Sequence, residues 1–315
     1  MLDKLVLTTR TSKQQKIKSP LNYIGGKYKI LDQILPLFPR NINCFIDLFT
    51  GGCNVGANIK ANKIYCNDNL IFLIEMYKAF QKHSLEEILR HIEEKVSEYK
   101  LSLVNEIGYK KLREFYNQTK HPLDLFVLIA YSFNHQIRFN NNHLFNNPFG
   151  KERSSFNTTM KQNLINFLHK IKQANIEFVS LNFTDFDFDF LDSNDFVYCD
   201  PPYLITNGTY NDGKRGFTGW NQQQENALLE ILDNINERKI KFALSNVLEH
   251  KGKSNEILKH WLKKNPCYRI NFINKNYANS NYQTAIRDKN ASVEVLITNY
   301  KTEKSDTIRT LFDLF

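Results

Sequence analysis

The 315-residue chain is long enough for one large domain or two modest ones, and its 42% hydrophobic fraction supports a real core. A net charge of +9 favours a polyanionic partner without requiring one. The five cysteines (Cys44, Cys53, Cys66, Cys199 and Cys267) are scattered with no CxxC or Cys/His cluster, which argues against a zinc site and suits free thiols in a reducing cytoplasm.

Met1 to Lys4 is not followed by an apolar stretch, so no signal peptide is expected. The longest apolar run, Phe126 to Tyr131, is too short to span a bilayer, and no membrane partner is expected. Residues 1–19 are polar and basic, with Arg10, Lys13, Lys16 and Lys18. They read as a solvated leader or as a phosphate-contacting arm. Pro20 to Lys27 holds a Gly-Gly turn and precedes a predicted helix from Tyr28 to Leu37, stopped near Pro39. A buried strand is expected at Phe45–Phe49, then a Gly51-Gly52 turn, a helix from Val55 and a second strand from Lys63 to Cys66. That alternation begins a doubly wound α/β sheet.

From Ile71 to His169 the pattern is mostly helical, broken by an Asn-rich loop from Asn140 to Gly150, which suggests an insertion. Strands resume at Ile176–Leu181 and Phe196–Cys199. A helix is expected at Gln222–Glu237, then strands at Ile240–Leu244, Tyr268–Ile273 and Ser292–Asn299.

Asp200-Pro201-Pro202-Tyr203 follows the Phe196–Cys199 strand. An acid, two rigid prolines and an aromatic ring at a strand's carboxyl end can hold a planar nitrogen heterocycle by its exocyclic amine, as methyl transfer to a nucleobase requires. The turn from Asp47 to Gly56 is rich in glycine, which permits close backbone approach to a ligand. It is neither GxGxxG nor a phosphate loop. Asp68 ends the second strand, where it can accept hydrogen bonds from ribose hydroxyls or act as a turn residue. Lys27 and Tyr23 read either as part of a plain turn or as a second pocket wall. In the second case Lys27 meets a carboxylate and Tyr23 packs on an apolar edge.

In their order these pieces resemble the Dam family of DNA adenine-N6 methyltransferases, the class with its target-recognition segment inserted in the catalytic domain. The resemblance covers the chain from Ser19 to Tyr300. It rests on Tyr23-Ile24-Gly25-Gly26-Lys27, Asp47 to Gly56, Asn67-Asp68, and Tyr109 to Asn117 with Arg113 and Phe115. It also rests on Arg138-Phe139-Asn140, Phe145 to Gly150, Asp200 to Tyr203, Phe242 to Asn246 and Glu294 to Asn299. It implies a Rossmann-like, S-adenosylmethionine-dependent methyltransferase sheet (α/β) with an inserted, mainly helical target-recognition domain. Residues 1–70 and 176–300 would form the catalytic, cofactor-binding domain, 71–175 the insertion and 301–315 a tail.

The implied cofactor is S-adenosylmethionine, contacted by Tyr23, Gly25, Lys27, Asp47, Phe49, Gly51, Gly52, Asp68, Asn182, Phe183 and Asp200. The implied substrate is double-stranded DNA. GATC is the expected target, although related restriction-system enzymes, each with an endonuclease acting on the same site, read others. Three departures stand out: Tyr23 where Trp is common, Cys53 where Gly is frequent, and Asn182-Phe183 where an acid precedes the aromatic.

Asp200 can accept one hydrogen of the adenine amine and the Pro201 carbonyl the other, while Tyr203 stacks on the base beside Pro202. No metal is needed. The base must be flipped from the duplex. Tyr210, Lys214 and Arg215, in a loop after the motif, are expected either to enter the DNA or to form a plain surface loop. Arg138 and Asn140 suit guanine and adenine edges, or else fix their own Asn-rich loop. A cytosine-N4 enzyme usually opens this motif with Ser, so Asp200 speaks against that alternative, and the intact motif set speaks against a silent DNA-binding relative. The apolar end, Ile308 to Phe315, reads as a segment packed on the sheet, with a sliding-clamp docking peptide as the sharper alternative.

Overall fold

The computed structural model describes residues 16–206, 220–273 and 292–302. The leader before residue 16, the loop with Tyr210, Lys214 and Arg215, and the apolar C-terminus lie outside the described residues.

After a broken helical stretch containing α1 (Leu31–Ile34), the chain enters β1 (Cys44–Asp47) and β2 (Lys63–Asn67). Five helices follow: α2 (Ile71–Lys82), α3 (Leu85–Glu98), α4 (Glu106–Thr119), α5 (Pro122–Tyr131) and α6 (Thr158–Gln173). The chain returns to the sheet through β3 (Ile176–Val179) and β4 (Phe196–Cys199), then continues through α7 (Gln222–Glu237) and β5 (Lys241–His250). The short β6 (Lys253–Ser254), α8 (Glu256–Lys264), β7 (Arg269–Ile273) and β8 (Ser292–Thr298) complete the described order.

The sheet order is β3-β2-β1-β4-β5-β8-β7, with β6 folded back on β5. β1 to β5 run parallel, and β8 lies antiparallel between β5 and β7. The expected mixed, mainly parallel α/β sheet is therefore present. Its strand order reverses between β1 and β4, with Asp47 opposite Tyr198. Such a switch point opens a crevice at the strands' carboxyl ends, where ligands of α/β sheets bind.

Alternation along the strands divides the core. Phe45, Phe196 and Tyr198 face an apolar cluster that continues into α2–α6, whereas Ile46, Val197 and Cys199 face a second cluster built with α7 and α8. α5 is buried from Leu123 to Tyr131, and α2, α3 and α4 pack around it. Asparagine begins α4, α6, α7 and α8: the side chains of Asn105, Asn157, Asn221 and Asn255 each accept a first-turn N–H.

Local differences from expectation have local causes. The helix expected from Val55 is only a run of turns, in which Asp47 Oδ2 takes the Gly56 N–H at 3.1 Å and Asn54 and Asn58 bind the strip at Ile17 and Ser19. Pro36 breaks the Tyr28–Leu37 helix into short 3₁₀ and α pieces. β5 runs six residues beyond Leu244 because its polar pair is satisfied internally: Ser245 Oγ meets the Tyr198 hydroxyl and Asn246 donates to Glu225. α8 was not expected; Asn255 caps it, and Leu258, Trp261 and Leu262 bury its apolar face.

Gly56 packs between strands and turn. An added Cβ would sit 2.5 Å from Cys66 Sγ and 3.3 Å from Asp47 Oδ2. Gly56→Ala is therefore expected to cost about 1–3 kcal/mol by overpacking, read as a lower urea midpoint; an unchanged midpoint would mean that this contact yields freely.

Candidate active site

The crevice is walled by the ends of β1, β2, β4 and β8 and by the strip from Tyr23 to Lys27. Lys27 is only 4% exposed. A lysine so buried requires charge partners, and its ammonium has them. Asp200 Oδ1 lies 2.6 Å away and Glu294 Oε1 3.9 Å away. The ammonium also donates to the Gly25 carbonyl at 3.1 Å and lies 5.1 Å from the centre of the Tyr203 ring. The carboxylates that Lys27 meets are thus the protein's own.

The Tyr203 hydroxyl lies 3.2 Å from Asp200 Oδ1 and 3.0 Å from Glu294 Oε1. Asp200 follows β4 directly, and Tyr203 folds back beneath it after the buried Pro201 and the half-buried Pro202. With 17% side-chain exposure against 2–3% for Glu294 and Lys27, Asp200 is the member of this group that solvent-borne molecules can reach.

A second acidic pair lines the turn after β1. Asp47 is buried; its Oδ2 accepts from the Thr50 hydroxyl and the Gly56 N–H, both at 3.1 Å. Its Oδ1 is buried with no hydrogen-bond partner. Burial pushes the carboxyl up to about 7, and the nearby Asp200 adds to the rise.

Asp68 accepts from the Gly51 N–H and the Leu70 N–H, both at 2.9 Å, and burial raises its carboxyl as well. Gly51 has φ +45°, and a Cβ there would come within 2.8 Å of the Tyr23 ring, so glycine is what lets Tyr23 close over the turn. From the other side, the Tyr77 hydroxyl on α2 donates to the Gly51 carbonyl at 2.8 Å. Asn67 joins the ends of β1, β2 and β3 through Leu48 and Leu181.

Phe49 and Phe183 lie 5.5 Å apart, and Trp220 packs on both, at 5.6 and 5.4 Å. The Trp220 indole donates to the buried Glu225 at 2.6 Å. Asn182 is exposed and caps the one-turn helix that places Phe183.

Arg138 and Asn140 lie elsewhere, in the Asn-rich loop. Arg138 donates to the Asn146 side chain and carbonyl, and Asn140 Oδ1 accepts from the Asn142 and Leu144 N–H groups. These are the bonds of the loop-fixing reading. The same loop is strapped to α4. The Tyr109 hydroxyl and Arg113 reach the Asn147 carbonyl, and Asn117 bonds both backbone groups of Phe145. Two stretches that looked separate in sequence are thus one assembly.

Among the described residues one group could hold a metal ion. His91, His121 and Asp124 bring their ligand atoms within 4.8 Å of one another, on α3 and at the start of α5. The 2.7 Å contact from His91 to the buried Asp124 also works as a plain strut between these helices.

Trp220 and Glu225 are not among the residues singled out in sequence, and Glu294 enters there only as the start of a strand motif, not as a site residue. The usable signal for Glu294 is a carboxylate in an otherwise apolar strand, Val293 to Ile297, where an acid stays only if paired.

Asp200 just after a buried strand, a buried lysine against it and an acid-flanked glycine turn after the neighbouring strand thus share one crevice. Residues 23–281 match the model of the D12 class N6 adenine-specific DNA methyltransferases. The chain belongs to that family. It is 53% identical over 284 residues to the type II methyltransferase M.FokI of Planomicrobium okeanokoites, covering 90% of this chain and 43% of that protein. It is 49% identical over 310 residues to the modification methylase StsI of Streptococcus sanguinis, covering 98% of this chain and 47% of that protein. To the DNA adenine methylase of Escherichia coli K12 it is 28% identical over 236 residues, 74% of this chain and 81% of that protein. The chain thus spans less than half the length of the two modification enzymes. No described helix is long and apolar enough to cross a membrane.

Asp47 offers a direct check on the buried acid. Its folded value lies above the unfolded 3.8, so its contribution to stability is full below about pH 4 and is lost as pH rises through about 7. Asp47→Asn cannot ionise and is expected to flatten that part of the curve of unfolding free energy against pH. Parallel curves for the two proteins would show that Asp47 does not titrate there.

Proposed function

We propose that this chain moves a methyl group from S-adenosylmethionine to N6 of a flipped-out adenine in double-stranded DNA. The observation that carries the reading is the placement of Asp200 at the end of β4. It is held by Lys27 and Tyr203 and is open enough to meet a base, in a member of the D12 class.

The residues fit the cofactor. Asp47 Oδ1, a buried oxygen without a partner, suits an ammonium group, whose charge would ionise that acid. Asp68, at the end of β2, suits a ribose diol, and Phe49, Phe183 and Trp220 offer an aromatic wall to a purine. Tyr23, Gly25, Gly51 and Gly52 shape the turn between them, and Asn182 sets Phe183. S-adenosylmethionine, when bound, supplies a methyl group activated by a sulfonium.

The adenine amine is a weak nucleophile because its lone pair is delocalised into the ring. Asp200 accepts one N6 hydrogen and the Pro201 carbonyl the other. Both bonds strengthen as the nitrogen becomes tetrahedral. Pro202 stiffens the path between them, and Tyr203 holds the base face. In a direct displacement the methyl–sulfur bond would break as the methyl–nitrogen bond forms, the thioether leaving with the electron pair, and Asp200 or water would take the proton from the nitrogen.

Residues 71–175 are proposed as the target-reading insertion, with the α4–loop assembly as its recognition element and the base edges met by Arg138 or Asn140. The expectation of GATC is supported by the likeness to the DNA adenine methylase. The greater identity to two modification enzymes, 53% and 49% against 28%, favours a restriction-system target read alongside a cognate endonuclease in the cytoplasm.

The purified protein, given labelled cofactor and duplex DNA, is expected to form N6-methyladenine, detected by mass spectrometry of nucleosides; sequencing of the modified DNA then gives the site. Asp200→Ala should lower the rate by about 10²-fold or more. Label found in cytosine, or none in adenine-containing DNA, would overturn the reading. Cofactor affinity should rise with pH towards about 7 in the wild type as Asp47 ionises. It should stay level in Asp47→Asn, and a shared pH profile would remove Asp47 from the cofactor site.

A further inference from the structure

We infer that Glu294 is a positioning residue of the methyl-transfer site, acting through the hydroxyl of Tyr203. The inference rests on the reading of Asp200 as the acceptor of the adenine amine.

A tyrosine hydroxyl has one proton to donate. Two carboxylate oxygens are within reach of it, Glu294 Oε1 at 3.0 Å and Asp200 Oδ1 at 3.2 Å. Asp200 Oδ1 already receives the Lys27 ammonium at 2.6 Å, whereas Glu294 stands 3.9 Å from it. The nearer acceptor is Glu294, so the proton goes there. Glu294 is 2% exposed, on a strand whose neighbours Val295, Leu296 and Ile297 are fully buried, so its carboxylate cannot swing away to water.

Three consequences follow for the site. The Tyr203 ring is fastened at its far end to β8, which sets the plane it offers to a base. Asp200 is spared a second hydrogen bond on the oxygen that Lys27 holds. More of its negative charge is therefore left for the amine, whose hydrogens must be drawn out of the ring plane. Lys27, placed between both carboxylates, keeps the acids of β4 and β8 at a fixed separation. Without an acceptor at position 294, the Tyr203 proton would turn to Asp200 and compete with the substrate for the same carboxylate.

The test is a set of variants assayed on duplex DNA with thermal melting alongside. Glu294→Ala is expected to lower kcat by about 10- to 100-fold, the range that loss of close positioning produces. The KM for S-adenosylmethionine should stay within about twofold, since uniform binding is not what is lost. Glu294→Gln, which keeps a carbonyl acceptor for the hydroxyl, should restore most of kcat. In a Tyr203→Phe background, Glu294→Ala should cost clearly less than it does alone, because the hydroxyl bond is already gone and only the longer contact with Lys27 remains to be lost.

Independent, multiplicative losses in the double variant would overturn the inference, as would a wild-type kcat in folded Glu294→Ala. So would a failure of Gln to rescue. Should the alanine variant not fold, Tyr203→Phe removes the same bond from its other end, and an undiminished kcat there overturns the inference equally. A wild-type protein that methylates no adenine would instead defeat the underlying reading of the site.

Discussion

An ammonium group buried among carboxylates organises this molecule. Taking Lys27 out of water is costly, and the nearby acids offset it together with the Gly25 carbonyl. Those acids come from distant parts of the chain: Asp200 from the end of β4 and Glu294 from β8. Satisfying one charge therefore pulls the N-terminal strip across the crevice and fixes it against the centre of the sheet. Truncating one member of such a buried group leaves another charge uncompensated, which is why pairs of this kind cost about 3–5 kcal/mol to break although they add little net stability.

The glycine turn obeys a related constraint with backbone groups in place of charges. Asp68 holds the Gly51 N–H, Tyr77 holds its carbonyl, and Tyr23 lies where a side chain on Gly51 would have been. Asp47 holds the next part of the turn through Thr50 and Gly56 while keeping one oxygen without a bond. In a region where nearly every polar atom is matched, that oxygen is the local exception, and burial of the carboxyl raises its pKa.

Elements whose signals are local and apolar were legible in the sequence. Phe196–Cys199 and Gln222–Glu237 match their strand and helix residue for residue, and β1, β2, β3, β7 and β8 fall within two residues at either end of their expected bounds. Two of the misreadings involve polar side chains whose partners are remote in sequence. Ser245-Asn246 looks like a turn until Tyr198 and Glu225 supply partners. Val55 looks like a helix start, yet its segment forms turns whose Asn54 and Asn58 bond to the remote Ser19 and Ile17. The candidate site was legible as separate motifs, with Asp200, Tyr203, Lys27, Asp47 and Asp68 all at the crevice. The pairing of Lys27 with Asp200, and the place of Glu294, are properties of the sheet order and of no window of sequence. Arg138 and Asn140 looked the same in sequence whether they served DNA or their own loop, since a guanidinium and a carboxamide suit both.

The contact of Tyr77 with Gly51 bears on how separable the helical segment is from the sheet. α2 opens the helical segment, and through this one hydroxyl it also holds the turn beneath the crevice. Its buried residues share an apolar cluster with Phe45, Phe196 and Tyr198 of the sheet. A segment joined to the sheet by a common interior and a hydrogen bond is not a module that can be exchanged whole. Swapping it would disturb the turn that Asp68 and Tyr77 hold. Under the proposed assignment of target reading to residues 71–175, new preferences would be best reached on the outer surface of that segment, by altering side chains around the α4 loop while the helices beneath keep their packing.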